Sequence, residues 1–380
     1  MFGSADSLIT IDLEAIVANW RFLDSLSAPS TVTAGVVKAN AYGLGADIIA
    51  PRLATAGCQL FFVMSLDEGV QLRQNLRLNG FRGLPIFCLS GCHIGQEDAF
   101  LAYELSPVIN DLGQVARLSM LAKRRDVTIS AALHIDTGMT RLGLTPDETD
   151  WLIDNMQNGI NALEGINLVY LMSHLSSGEM VGASSNAFQL AAFEAIRPFF
   201  ASARASLANS GGVLLGDSFH FDLTRPGVAV YGAHPAGTAT STKQSKSLQP
   251  VVSWDARILQ LRYADSGEAV GYGGTHVLTR DSLIATIGVG YADGYPRCLT
   301  GIASAQINGH LAPIIGRISM DSMALDVTDI PEDKIRSASA ARLLGPHYDT
   351  SMMARDAGTI SYDILTSLGR RPARRYLGEN

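Results

Sequence analysis

The feature that most constrains the fold is a rhythm. Between Thr31 and Gly232, eight short apolar runs alternate with helical patterns at intervals of about 20 to 40 residues. The runs are Val32–Val37, Cys58–Ser65, Leu84–Gly91, Leu105–Asn110, Thr128–Gly138, Ile166–His174, Ser206–Gly212 and Phe221–Gly232. They are short, rich in β-branched and aromatic residues, and apolar at successive positions. Strands buried on both faces look like this. Helical patterns fall between them at Asp47–Ala56, Asp67–Leu78, Gly95–Tyr103, Asp111–Arg124, Pro146–Asn158 and Phe188–Arg204. Asn79 and Gly80 stop the second helix, and Asp111 is suited to cap the fourth. Eight strand–helix units predict the α/β class and a (β/α)8 barrel of TIM type. An open doubly wound sheet is the runner-up. Its dinucleotide fingerprint is missing, because ANAYGLGA after the first run is not G-x-G-x-x-G and GVGYADG at Gly288 comes too late.

Past the eighth run the pattern changes. Ala233–Pro250 turns small and polar and reads as a linker or exposed loop. Beyond it, short strand-like runs separated by Gly- and Asp-bearing turns predict a smaller, mostly β domain. A chain of 380 residues exceeds one ordinary core. The division expected is a barrel over residues 13–236 and a β domain formed by residues 1–12 and 237–380.

Charge narrows the partners. A net charge of -7 and a pI near 5.6 supply no basic patch, so nucleic acid is excluded and small molecules become the default. The opening MFGSADSLITIDL carries Asp6 and Asp12 and no basic stretch, which predicts neither a secretory signal nor a membrane span, hence a cytoplasmic protein. Cys58, Cys88, Cys92 and Cys298 fit reduced thiols. Cys88, Cys92 and His93 lack a second pair at zinc-like spacing, so core packing is the reading and no metal is expected.

Lys38 directly follows the first run, with Asn40, Tyr42, Gly43 and Gly45 in the loop behind it. That puts an amine at the carboxyl edge of the sheet, where barrels keep their active sites, and a desolvated amine there suits Schiff-base chemistry. A lysine snorkelling out of a strand end would look the same. Other polar residues converge on that edge: His134, Asp136 and Arg141 on the fifth unit, His174 on the sixth, Asn209 and Ser210 on the seventh, Arg225 and Gly227 on the eighth. Taken singly, His174 reads as a satisfied core-edge histidine and Arg141 as a solvated cation. Together, a Schiff-base lysine, an arginine suited to a ring nitrogen and Ser/Gly turns with open N–H groups make a pyridoxal phosphate pocket.

Nine motifs in this order, VVKANAYGLGA, HIDTGMTRLG, MSHLSSGE, ANSGG, RPGVAVYG, VGYGGTH, GVGYADGYPR, GRISMDS and TISYDILT, resemble the alanine racemases, pyridoxal-phosphate enzymes built of a barrel and a C-terminal β domain. The resemblance implies that Lys38 holds the cofactor and serves as one base. Tyr272 would be the second, supplied by the other subunit of a homodimer with shared sites. Inverting a carbon centre needs proton removal on one face and delivery on the other, so two opposed bases are expected. A phenol ordinarily ionises near pH 10, so a tyrosine base needs cationic neighbours. The resemblance sets His174 against Tyr272, links it to Arg225, and gives Arg225 the pyridine nitrogen. An arginine there makes the ring a weaker electron sink and suppresses side reactions.

Tyr42, Ser210, Gly227, Val228 and Tyr362 match the family's phosphate contacts, with Asn209 alongside. Arg141 and the backbone of Met320 match its substrate-carboxylate contacts, and Tyr291 and Asp321 match its entrance, although Tyr291 also reads as a β-turn aromatic. Two positions depart from the family: His134 stands where many relatives carry a lysine that becomes carbamylated and steadies the arginine, and Ser319 where many carry cysteine. The implied reaction is interconversion of L- and D-alanine, for cell-wall supply in a bacterium. A racemase of another small amino acid such as serine, a barrel decarboxylase and a non-catalytic cofactor carrier are the alternatives. A decarboxylase would pair the ring nitrogen with a carboxylate where this chain has Arg225, and a carrier would need neither Tyr272 nor the β domain.

Overall fold

The structure, a computed structural model, describes residues 2–235 and 247–378. Most of the Ala233–Pro250 linker therefore lies outside the described residues, as does the boundary expected after residue 236. The described residues form two compact units, one of residues 2–16, 231–235 and 248–378, the other of residues 17–230 with residue 247.

The larger unit is the barrel. Seven parallel strands run in chain order: Gly35–Val36, Phe61–Val63, Ile86–Cys88, Ser106–Ile109, Ile129–His134, Ile166–Met172 and Arg204–Ser206. The eighth, Leu223–Thr224, pairs in parallel with Val32–Thr33, the first half of the first strand. Backbone bonds from Asp222 N–H to Ala205 O and from Arg225 N–H to Ala208 O tie it to the seventh, so the ring closes. The first strand thus serves one neighbour with Val32–Thr33 and the other with Gly35–Val36. Aromatic rings fill the interior. Phe62 stacks on Phe87 at 5.1 Å, and Phe87 meets Tyr170 of the sixth strand edge-on at 5.5 Å.

Helices return the chain between strands much as the sequence suggests: Ala46–Thr55, Leu66–Leu78, Glu97–Ala102, Leu112–Arg125 and Pro146–Gln157. Asp111 caps the fourth of these, accepting from Gln114 N–H at 2.7 Å. Three expectations need correction. The helix expected over Phe188–Arg204 spans Ser184–Ile196 and gives way to a 3-10 turn, Arg197–Phe200, because Pro198 offers no N–H for the next helical bond. The strand expected at Ser206–Gly212 is Arg204–Ser206, and Ser210–Leu215 is helical because Asn209 accepts from Gly212 N–H at 3.0 Å and starts a turn there. The run Phe221–Gly232 contributes only Leu223–Thr224 to the barrel before a 3-10 turn, Val228–Tyr231.

In the smaller unit one eight-stranded sheet holds Ser7–Asp12, Val252–Ala264, Ser282–Ile287, Ser304–Ile307, His310–Ile315, Met323–Asp326, Ala340–Leu344 and Ala373–Leu377. The long strand Val252–Ala264 organises it. Its first half pairs with Ser7–Asp12 and Ala340–Leu344, its second half with Ser282–Ile287, across a register shift between Ile258 and Gln260. Trp254 is fully buried beside Tyr295. Three short helices, Glu332–Arg336, Thr350–Ala357 and Ser361–Ser367, pack in the same unit. Among the described residues no helix is long and apolar enough to cross a membrane. Cys88 and Cys92 are buried, and desolvation pushes both thiols up to about 12.

Candidate active site

Every polar group singled out on the barrel follows the carboxyl end of a strand, and Lys38 is the best defined. After Val36 the chain makes one turn of left-handed coil. Ala39, Asn40, Ala41 and Tyr42 have φ of 51°, 54°, 51° and 56°, and Gly43 follows at 84°. Each such L-residue costs roughly 1–2 kcal/mol, so the turn persists only where its surroundings over-determine it. Ala41 N–H donates to Val37 O at 2.9 Å and Gly43 N–H to Ala39 O at 2.8 Å. Asn40 Oδ1 accepts from Ala46 N–H at 2.9 Å, and Glu68 Oε1 accepts from Ala39 N–H at 2.8 Å. Lys38 heads the turn half-buried, and among the described residues its amine has no hydrogen-bond or ion-pair partner. Burial lowers its proton affinity below that of an ordinary lysine, Arg141 and Arg225 lower it further, and Glu68 opposes them.

Arg225 is buried, with its guanidinium donating to Ser206 Oγ and to the carbonyl of Ser173. Desolvation brings its pKa down to about 9. His174 is joined not to Arg225 but to Asn209, whose Nδ2 lies 3.3 Å from its Nε2. Arg225 reaches it only through the backbone of its neighbour Ser173. Burial, and then Arg225 and Arg141, hold His174 well below the ordinary histidine range. It is a neutral imidazole able to hydrogen-bond but not to lend a charge.

His134 ends the fifth strand with its Nδ1 2.9 Å from Asn110 Oδ1. The Asn110 amide donates to Leu89 O and Val108 O, so its oxygen must accept, and His134 carries its proton on Nδ1. Its Nε2 is left as an acceptor. Burial, with Arg225, brings His134 down to about 3. Asp136 is spent on the backbone, accepting from the N–H groups of Gly138, Met139 and Thr140. Arg141, exposed at the end of this loop, has no hydrogen-bond or ion-pair partner among the described residues.

A third group gathers on the seventh and eighth units. Ser210 Oγ accepts from Gly227 N–H at 2.8 Å and from Ala229 N–H at 3.3 Å, which leaves its own O–H to donate elsewhere. Val228, first in its turn, has no carbonyl within that turn for its N–H. The Tyr42 phenol lies directly over Gly227, where an added Cβ would fall 2.1 Å from Oη. An open amine, a buried arginine, and a turn whose hydroxyl lies beside a phenol fit a group carrying an aldehyde, a ring nitrogen and a phosphate. Pyridoxal phosphate is such a group.

In the β unit, Tyr291 and Asp321 belong to one interlocked pair of loops. Tyr291 N–H donates to Ser319 O and Ala292 N–H to Met320 O, both at 3.0 Å. Arg371 clamps them, holding buried Asp293 through two 2.7 Å bonds and also contacting Asp321. Met320 is half exposed. Tyr272 stands on a separate turn, Tyr272–Gly274, with 73% of its surface exposed. Tyr362 lies in the first turn of the helix Ser361–Ser367.

Sequence reasoning missed Glu68, Asn110, Ser206 and Arg371. The first two carried a signal: Ser65-x-x-Glu68 after the second strand looks like a capping box, and Asn110 ends the fourth strand.

Comparison with known proteins agrees in both units. The alanine racemase N-terminal domain family matches residues 11–235 and the alanine racemase C-terminal domain family residues 251–376. The alanine racemase of Rhodospirillum rubrum is 43% identical over 98% of this chain and 96% of its own. A catabolic alanine racemase of Agrobacterium fabrum is 41% identical over 99% and 93%. Among solved structures, the alanine racemase of Bartonella henselae with covalently bound pyridoxal phosphate superposes with a TM-score of 0.90 at 39% identity, covering 98% of this chain and 100% of that one. The biosynthetic alanine racemase of Pseudomonas aeruginosa gives 0.85 at 31%, covering 98% and 99%.

Proposed function

The chain belongs to the alanine racemase family, and from that membership we propose how its own residues divide the work. It is a pyridoxal-phosphate-dependent enzyme that interconverts L- and D-alanine. Lys38 would hold the cofactor covalently, Arg225 would donate to its ring nitrogen, and Tyr42, Ser210, Gly227, Val228 and Tyr362 would hold its phosphate, with Asn209 and His174 beside them. When bound, the cofactor draws electrons from the substrate's α-carbon and so makes its hydrogen acidic.

Once the substrate's amine has taken its place, the freed Lys38 Nζ would exchange that proton on one face and the Tyr272 phenol on the other. Tyr272 removes it from L-alanine and Lys38 from D-alanine. The lowered proton affinity of Lys38 suits an amine that must be neutral to act. Arg141 and the Met320 backbone would hold the substrate carboxylate, and Tyr291 and Asp321 would line the approach. The cations Arg141 and Arg225 favour an anionic ligand at the barrel edge.

The observation that carries this reading is the Lys38 amine, partly buried at the head of a strained turn and without a hydrogen-bond or ion-pair partner among the described residues. Tyr272 would come from the second subunit of a homodimer. Its exposure supports that origin, and so does the exposed row Leu259, Leu261 and Tyr263 at alternate positions of one strand. The enzyme would work in the cytoplasm and supply D-alanine for the cell wall. Borohydride reduction followed by peptide mapping tests the assignment. Phosphopyridoxyl label is expected on Lys38, and label on another lysine would overturn it.

A further inference from the structure

Four consecutive left-handed residues set Ala39–Tyr42 apart. The other non-glycine residues with positive φ among those described, such as Glu104, Asp126 and Thr140, stand singly. A run of this kind needs an external hold, and the hold at its start is one carboxylate. Glu68 Oε1 accepts from Ala39 N–H at 2.8 Å while Oε2 accepts from Met64 N–H at 2.7 Å, so one side chain ties the exit of the first barrel strand to that of the second.

Glu68 occupies the third position of the helix Leu66–Leu78, where Ser65 caps it. A glutamate there would ordinarily turn back onto the cap's own N–H. This one bonds one residue beyond the cap and across to the neighbouring strand exit. Among the described residues it is also the anion whose charge acts on Lys38, and the other charged or titratable groups acting on that amine are Arg141, Arg225 and His174.

We infer that Glu68 is a positioning residue: it locks the left-handed turn after Lys38 and so fixes where the amine points and which charges it meets. This rests on Lys38 being the cofactor lysine. Two substitutions separate the two effects. Glu68→Gln keeps the shape, removes the charge and sets an amide N–H against a backbone N–H. Glu68→Asp keeps the charge and loses the reach.

In the cofactor-free dimer, hydrogen exchange at the Ala41 and Gly43 amides should quicken by about tenfold or more in both variants, as expected for loss of a hydrogen bond to a charged group. Exchange in the distant helix Leu112–Arg125 should not change. The pH at which Lys38 reacts with trinitrobenzenesulfonate should fall in Glu68→Gln and stay near wild type in Glu68→Asp. Unchanged turn exchange in both variants, or the same reactivity shift in both, would overturn the inference. Borohydride mapping in each variant keeps the underlying assignment separate: label away from Lys38 refutes the cofactor lysine, whereas label on Lys38 with an unaltered turn refutes only the role of Glu68.

Discussion

Gly227→Ala offers a graded test of the phosphate contacts, because the structure says what the new methyl group meets. An added Cβ would fall 2.1 Å from Tyr42 Oη and 3.0 Å from its Cζ. A carbon-to-oxygen contact needs about 3.3 Å, so the phenol must retreat by roughly 1.2 Å, too far to keep a hydrogen bond to a phosphate. A hydrogen bond to a charged group is worth about 1.5–3 kcal/mol, which corresponds to roughly 10- to 150-fold weaker cofactor binding. Tyr42→Phe removes the same hydroxyl directly and should lose a similar factor. The double variant is the decisive comparison, since the hydroxyl cannot be lost twice. Its loss should resemble that of either single variant, giving a coupling of about 1.5–3 kcal/mol in the cycle. The assay is a fluorescence titration of each cofactor-free protein with pyridoxal phosphate, with melting curves to confirm that all four are folded. Full affinity in Gly227→Ala, or strictly additive losses, would refute the proposed contact.

Two further outcomes follow from the site's electrostatics. His134 is held at about 3 against an ordinary 6.5, so the folded chain refuses a proton that the unfolded chain accepts. That stability is complete above pH 6.5 and drains as pH falls toward 3, by up to about 1.4 kcal/mol per pH unit. Urea unfolding of wild type and His134→Gln at one fixed protein concentration should show the variant losing stability less steeply between pH 6 and 4; equal slopes would show that His134 is not buried neutral. Tyr272→Phe should slow loss of the α-deuterium from L-alanine far more than from D-alanine, and equal slowing would remove its role as a directional base.

Much of the fold was legible in the sequence because burial on both faces writes an unmistakable pattern, as in the runs holding Phe61–Val63 and Ile86–Cys88. What escaped was set by local competition. Asn209 turned the end of an apparent strand into a helix, and Pro198 cut a long helix short. Lys38, Arg225 and Ser210 were legible as polar residues after apolar runs. Arg371 was not, because a residue that acts by clamping loops elsewhere in the chain leaves only a charged letter near the C-terminus, and the capping-box spacing of Glu68 pointed to its own helix rather than to the turn after Lys38. The replacement at His134 was visible, but its neutral state depends on burial in the folded barrel and its tautomer on Asn110, one strand away.

The proposal that two chains build each site is most directly tested by mixing. Lys38→Ala and Tyr272→Ala subunits, each inactive alone, are unfolded together and refolded at equal amounts. Random pairing makes half the dimers mixed, and each mixed dimer holds one site with both bases, so about a quarter of wild-type activity should return. If the mixture stays as inactive as its parents while gel filtration shows dimers, the amine and the phenol do not meet across a subunit boundary.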